Sequence, residues 1–246
     1  MLSRAEALSG RPVRVREDPS LALLATIQMA RGAAPMHMIS YKPVPGSRPD
    51  YHICYQCGFI IRLFENPPDK RFDFRPSDTA SSEMERLLAD PSIPAPARAA
   101  KDMLVNGILT QLRSIPIGLR IDDLLWSACP DLRGDQIASA NLQLRQNTAT
   151  LAPHIRKSFP QQIVNGNTAM NAAFAAFWSE KLSDASITLP YRSIGAQQSG
   201  MDLLQVYATL GSEAARDWEL VDSWARILGF SGWYDWVPYR LDAVNA

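Results

Sequence analysis

The sequence predicts a predominantly helical α+β protein. A short, partly alternating run at residues 36–41 (MHMISY) is bounded by prolines and reads as a strand. Residues 49–64 (PDYHICYQCGFIIRLF) then place their apolar side chains at the spacing of one helical face. From residue 97 onward almost every segment repeats that helical spacing. A chain of 246 residues can bury a full core in one domain or two. Its 46% hydrophobic and 20% charged residues are an ordinary globular mix. The formal net charge of zero excludes a global basic field, so contact with nucleic acid or an anionic membrane would need a local patch. No run approaches the roughly 20 apolar residues of a membrane-spanning helix.

Taken in order, residues 1–18 read as an N-terminal arm. The mixed, charged start lacks the apolar stretch of a secretory signal. The run Val13, Arg14, Val15, Arg16 suits either a mobile arm or a short edge strand. Nucleic-acid binding would rest on Arg11, Arg14 and Arg16 alone, and a solvated terminus is the expectation. After Pro19 and Ser20, Leu21, Leu24 and Ile27 fall at helical spacing, which predicts a helix over 21–32 stopped by Gly32. His37 on the following strand is read as a packed side chain, and 42–49 (KPVPGSRP) as a loop. Pro49 and Asp50 start the central helix, whose buried stripe is Ile53, Cys57, Ile60, Ile61 and Phe64. The proline-rich stretch 65–76 (ENPPDKRFDFRP) cannot continue it and reads as a connection. A short helix over 83–88 and a break at 90–97 close a region spanning 19–92.

The remainder, 93–246, reads as a helical body. Helices are expected at 97–113, 120–127 and 132–151, separated by Pro116 with Gly118 and by Pro130. A further helix over 161–182 offers Ala169, Ala172, Ala173 and Ala176 as a small-residue face that lets a neighbour approach. Helices over 201–210 and 212–228 complete the set. The last is expected to start at a Ser212 cap, with Glu213 and Asp217 in its early turns and Ala214, Trp218, Val221, Ala225 and Leu228 buried. The segment 229–240 (GFSGWYDWVPYR) concentrates Phe230, Trp233, Tyr234, Trp236 and Tyr239. It can serve as an aromatic docking surface, but closing the core is the expectation.

Chemical candidates are sparse. Three cysteines, an odd number, point to a reducing cytoplasm. Cys54 and Cys57 are three apart and can converge on one helical face, whereas His52 points away from both. With Cys129, His37 and His154 scattered, the thiols are read as buried and inert. No Gly-rich phosphate loop or nucleophile elbow is present.

The segment 36–64 resembles the ImmA/IrrE family of zinc metallopeptidases, in which a short strand leads into a helix bearing His-Glu-x-x-His. Asp50, Tyr51, Gly58, Ile61 and Arg62 fall where that setting expects them. The chemical positions do not: Tyr55 stands for the first histidine, Gln56 for the glutamate and Phe59 for the second histidine. Two histidines four apart hold zinc while the glutamate takes a proton from the metal-bound water. Tyrosine is a poor neutral-pH ligand, phenylalanine is none, and an amide is no base. His52, three residues before Tyr55, cannot stand in for the pair. The family also uses an acidic ligand on a later helix, for which Asp122, Asp123, Glu83 and Glu85 are the candidates.

The resemblance implies a small sheet beside the metalloprotease-like helix, followed by the helical body. It also implies a pseudoenzyme without metal or cofactor, which binds a protein or peptide partner. Family members are often regulators of repressors or toxins in bacteria and mobile elements, so a regulatory role is implied as well. Tyr55, Gln56 and Phe59 would line the vestigial site with Arg62 at its edge. The alternatives are a metal-dependent hydrolase with ligands drawn from His52, Cys54, Cys57, His37 and a downstream acid, and an interaction subunit working through its C-terminal aromatic residues.

Overall fold

The computed structural model describes residues 1–32, 34–44 and 48–241. The chain is 65% helical, with 11 helices and two small sheets among the described residues. None of these helices is long and apolar enough to cross a membrane. The chain forms two compact units, each assembled from segments distant in sequence, where consecutive blocks 1–18, 19–92 and 93–246 were expected. One unit comprises Met1–Asp73, Arg120–Ala138 and the C-terminal residues from Val237; the other comprises Phe74–Leu119 and Ser139–Trp236.

The first unit opens with α1 (Leu2–Ser9), ended by Gly10 at φ 65°, a left-handed cap that a side chain would strain. A three-stranded sheet follows, made of β1 (Val13–Glu17), β2 (Ala25–Gln28) and β3 (His37–Tyr41). The order is β1-β3-β2, with β1 parallel and β2 antiparallel to β3. Thus the open choice at Val13–Arg16 resolves as an edge strand. The helix expected over 21–32 is corrected: Ala25–Gln28 is extended and paired with β3. Helical spacing of Leu21, Leu24 and Ile27 is a local signal, and the ladder to β3 is a non-local one that overrides it. Of the expected loop at 42–49, residues 45–47 lie outside the described residues. The central helix α2 (Asp50–Phe64) packs on the sheet and on α1. Cys57, Ile60, Ile61 and Phe64 join Ala5, Val13, Ile39 and Tyr239 in its core, with Ile53 partly buried against it.

His37 sits in that core. Its Nδ1 accepts the Ala30 N–H at 3.1 Å, and its ring meets Phe64 edge-on at 5.7 Å. Its Nε2 is buried without a hydrogen-bond partner among the described residues. The Tyr239 hydroxyl donates to the Ala30 carbonyl, so one residue of chain anchors both side chains.

The connection expected at 65–76 contains a strand, β4 (Phe72–Pro76). Ser77 caps α3 (Asp78–Leu88) by accepting the Ala80 N–H, and α4 (Ala95–Ala99) occupies part of the expected break. A single helix, α5 (Lys101–Ala128), replaces the two expected around Pro116 and Gly118. A proline inside a helix costs roughly 3 kcal/mol. Buried side chains on both sides, Leu109 and Leu112 before it and Ile117 and Ile121 after it, outweigh that loss.

Next come α6 (Arg133–Ala149), α7 (Pro153–Arg156), α8 (Gln161–Leu182), α9 (Leu189–Ser193), α10 (Gln197–Leu210), α11 (Asp217–Leu228) and β5 (Tyr234–Pro238), which pairs with β4. In the second unit α8 packs on α10, as its small-residue face predicts: a Cβ on Gly200 would lie 2.7 Å from the backbone of Ala172 and Ala173. Backbone cannot swing aside as a side chain can. Gly200→Ala is therefore expected to destabilise the fold by about 2 kcal/mol in denaturant titration. A change under about 0.5 kcal/mol would mean that α10 slides freely along α8.

The last helix begins at Asp217, after a 3-10 turn at Ala214–Arg216, so Ser212 is not its cap. Its buried line is also corrected. Trp218 is 43% exposed, while Trp224 is fully buried and donates its Nε1–H to the Leu203 carbonyl at 3.0 Å. The buried face carries Leu220, Val221 and Ala225 beside Trp224. After Gly229, Phe230 and Trp233 are buried, as the core-closing expectation has it. Tyr234 and Trp236 share one Asp222 oxygen at 2.6 and 2.8 Å, and Phe74 stacks on Tyr234 at 4.3 Å.

Candidate functional site

The site is built on α2 and the end of α5 in the first unit. Gly58 lets the two approach: a Cβ there would lie 2.5 Å from Cγ2 of Ile121. On α2, Tyr51, Tyr55 and Phe59 recur every fourth residue and form an aromatic row. Their ring centroids are 5.9 Å apart for Tyr51 and Tyr55 and 5.5 Å for Tyr55 and Phe59. The Tyr51 hydroxyl donates to Oδ1 of Asp122 at 2.7 Å, and Asp122 is only 3% exposed. From α6, the Gln136 amide donates to the same oxygen at 3.0 Å and to the Asp122 backbone carbonyl at 2.9 Å. Burial, and then the Asp122 carboxylate, hold the Tyr55 phenol well above the usual tyrosine range. The arrangement is a buried carboxylate that accepts from the Tyr51 hydroxyl and the Gln136 amide, with a second phenol kept protonated beside it.

Of the four candidate acids, Asp122 meets α2 directly. Glu83 and Glu85 lie on α3, where they pair with Arg86 and Lys101. Gln56 turns from the aromatic row toward the sheet. The Gln56 amide donates to the Ala25 carbonyl on β2 at 3.3 Å, and Arg62 is buried at 6% exposure.

The rearranged ligand set does not come together. Among the described residues no group of three or more His, Cys, Asp or Glu side chains could hold a metal ion. His37 lies in the sheet core, while His52 rests against the Tyr51 ring at 5.1 Å, its pKa lowered by burial and partly restored by Asp135. Cys54, Cys57 and Cys129 are free thiols. Burial pushes the Cys57 thiol up to about 12, helped by its neighbour Cys54, and burial also raises Cys54. Neither is an activated nucleophile.

Sequence reasoning missed Gln136 and the role of Tyr51. The row Tyr51, Tyr55, Phe59 was visible as a four-residue repeat. A glutamine on a later helix carries no local mark that it will be buried. Comparison of the chain with known protein families, with characterised proteins and with solved structures finds no match in any of the three.

Proposed function

We propose that this protein is a non-catalytic, metallopeptidase-like scaffold that binds a protein or peptide partner in a regulatory role. One observation supports this reading above the others. An acid on a later helix, Asp122, stands beside the α2 position where the resemblance expects the first metal ligand, now Tyr55. In this reading the phenols occupy the space of a metal ion: Tyr51 donates to the carboxylate that would have been a ligand. Phe59 and Gln56 remove the second ligand and the base, so binding is kept and hydrolysis is not. The three free thiols favour a reducing cytoplasm as its place of work.

The test is to restore the lost chemistry. The variant carrying Tyr55→His, Gln56→Glu and Phe59→His is expected to take up one equivalent of zinc in equilibrium dialysis, and the unaltered protein none. Adding Asp122→Ala to that variant should weaken zinc at least about tenfold, the effect of losing one ligand from the set. A restored helix that binds no zinc, or binds it equally well without Asp122, removes the ground for this reading.

A further inference from the structure

The three-stranded sheet has two edges of opposite character. β1 carries Arg14, Arg16 and Glu17, the kind of charged side chains that keep an edge strand from pairing with another chain. β2 reads Ala25-Thr26-Ile27-Gln28 and carries no charge. Its ladder fixes which backbone groups face outward. The Leu24 carbonyl accepts the Lys42 N–H, and the register pairs Thr26 with Ser40 and Gln28 with Met38. In antiparallel alternation the even-numbered residues of β2 therefore bond to β3. The odd residues of β3 turn toward β1, since His37 donates to Pro12 and Tyr41 accepts from Asp18. It follows that the N–H and C=O of Ala25 and Ile27 point off the sheet. Gln56 gives independent evidence, because its side chain reaches the Ala25 carbonyl from α2. At the adjoining end of the β2–β3 pair, Leu23 and Val44 are 62% and 41% exposed.

We propose that the β2 edge is a strand-addition site for an extended, uncharged peptide segment of a partner protein, with Gln56 as a latch on its first outward carbonyl. The occupant follows from complementarity. Ala25 and Ile27 offer alternating neutral donors and acceptors, which only another extended backbone matches at this spacing. Leu23 and Val44 offer apolar contact to its alternate side chains, and no fixed charge on β2 calls for a charged ligand. A second copy of this chain is the competing occupant. A four-residue edge falls short of the roughly 1,200 Å² that a stable interface buries. The incoming N–H replaces the Gln56 amide at Ala25, so Gln56 competes with the ligand. The proposal deepens the partner-binding reading and rests on it for the existence of a partner, while the ladder alone carries the geometry.

The experiment uses the full chain and a fluorescent, amidated seven-residue peptide of alternating threonine and valine. Anisotropy is expected to show saturable binding, with slowed amide exchange at Ala25 and Ile27. Ala25→Pro removes an outward N–H that the β3 ladder does not use, and should weaken binding about tenfold. Gln56→Ala should tighten it several-fold. The same peptide N-methylated at alternate residues should lose binding, which keeps the test independent of how any variant folds. Undiminished binding of the N-methylated peptide, or no saturable binding of the plain one, overturns the proposal. Protection confined to other elements overturns it as well. So does concentration-dependent protection of β2 without peptide, which would place a second copy on the edge. Zinc uptake by the restored helix does not enter any of these readouts, so the two proposals fail separately.

Discussion

Asp122→Ala is expected to lower the stability of this protein by about 4 kcal/mol, the largest effect of any single substitution considered. The carboxylate is buried and accepts from the Tyr51 hydroxyl and the Gln136 amide. Removing it deprives the buried Tyr51 hydroxyl and Gln136 amide of their acceptor, and each buried unsatisfied donor costs roughly 1–3 kcal/mol. The cavity left by the side chain adds to this. Asp122→Asn keeps an acceptor oxygen in place and is expected to lose only about 1–2 kcal/mol. Guanidinium titration followed by circular dichroism separates the two. A loss below about 1 kcal/mol for the alanine variant would mean that Tyr51 and Gln136 find other partners, and that the carboxylate is not what ties α2 to the later helices.

The second large effect is a fall in stability on acidification, set by His37. Burial, reinforced by the Arg11 charge, lowers its pKa from 6.5 to about 4. The folded protein keeps the imidazole neutral, because Nδ1 must accept the Ala30 N–H. The unfolded chain takes up a proton below about 6.5. Hence the unfolded state binds more protons throughout the window from about 6.5 down to about 4, and stability falls as pH falls through it. The span corresponds to roughly 3 kcal/mol at its acid end. His52, also pushed down by burial, acts in the same direction. Histidine ring resonances followed by NMR should leave His37 unprotonated at pH 5, and His37→Gln should flatten the dependence of stability on pH between 6.5 and 4.5. A His37 ring that titrates near 6.5 would overturn the assignment.

Much of the fold was legible where the signal is local and strong. The helix expected over 161–182 is α8, Gln161–Leu182, because its alanine-rich face and its propensity agree. The strand before the central helix, and the buried stripe of that helix, were also legible. The misses share a cause. β2 was read as a helix because Leu21, Leu24 and Ile27 obey a helical period, yet its conformation is decided by β3. Pro116 marked a break that packing removes. Trp218 was placed in the buried line of α11 but is exposed, and the buried Trp224 was not singled out, because its partner, the Leu203 carbonyl, lies 21 residues away. The start of α11 was also placed too early, at Ser212.

Within the candidate site, the amino-acid sequence alone determined the residue types on α2: a phenol, an amide and a benzene ring where the resemblance expects His, Glu and His. It also determined that Tyr51, Tyr55 and Phe59 share a face, since a helix repeats every 3.6 residues wherever it sits. The tertiary structure alone decided that Asp122 meets that face and that Gln136 donates to the same carboxylate oxygen as Tyr51. It alone decided, too, that Gln56 turns to the edge of β2 and that this edge carries no charge on its paired strand. Helical period is written in neighbours a few residues apart, whereas a buried carboxylate or a strand edge is defined by partners tens of residues away, whose positions only packing fixes.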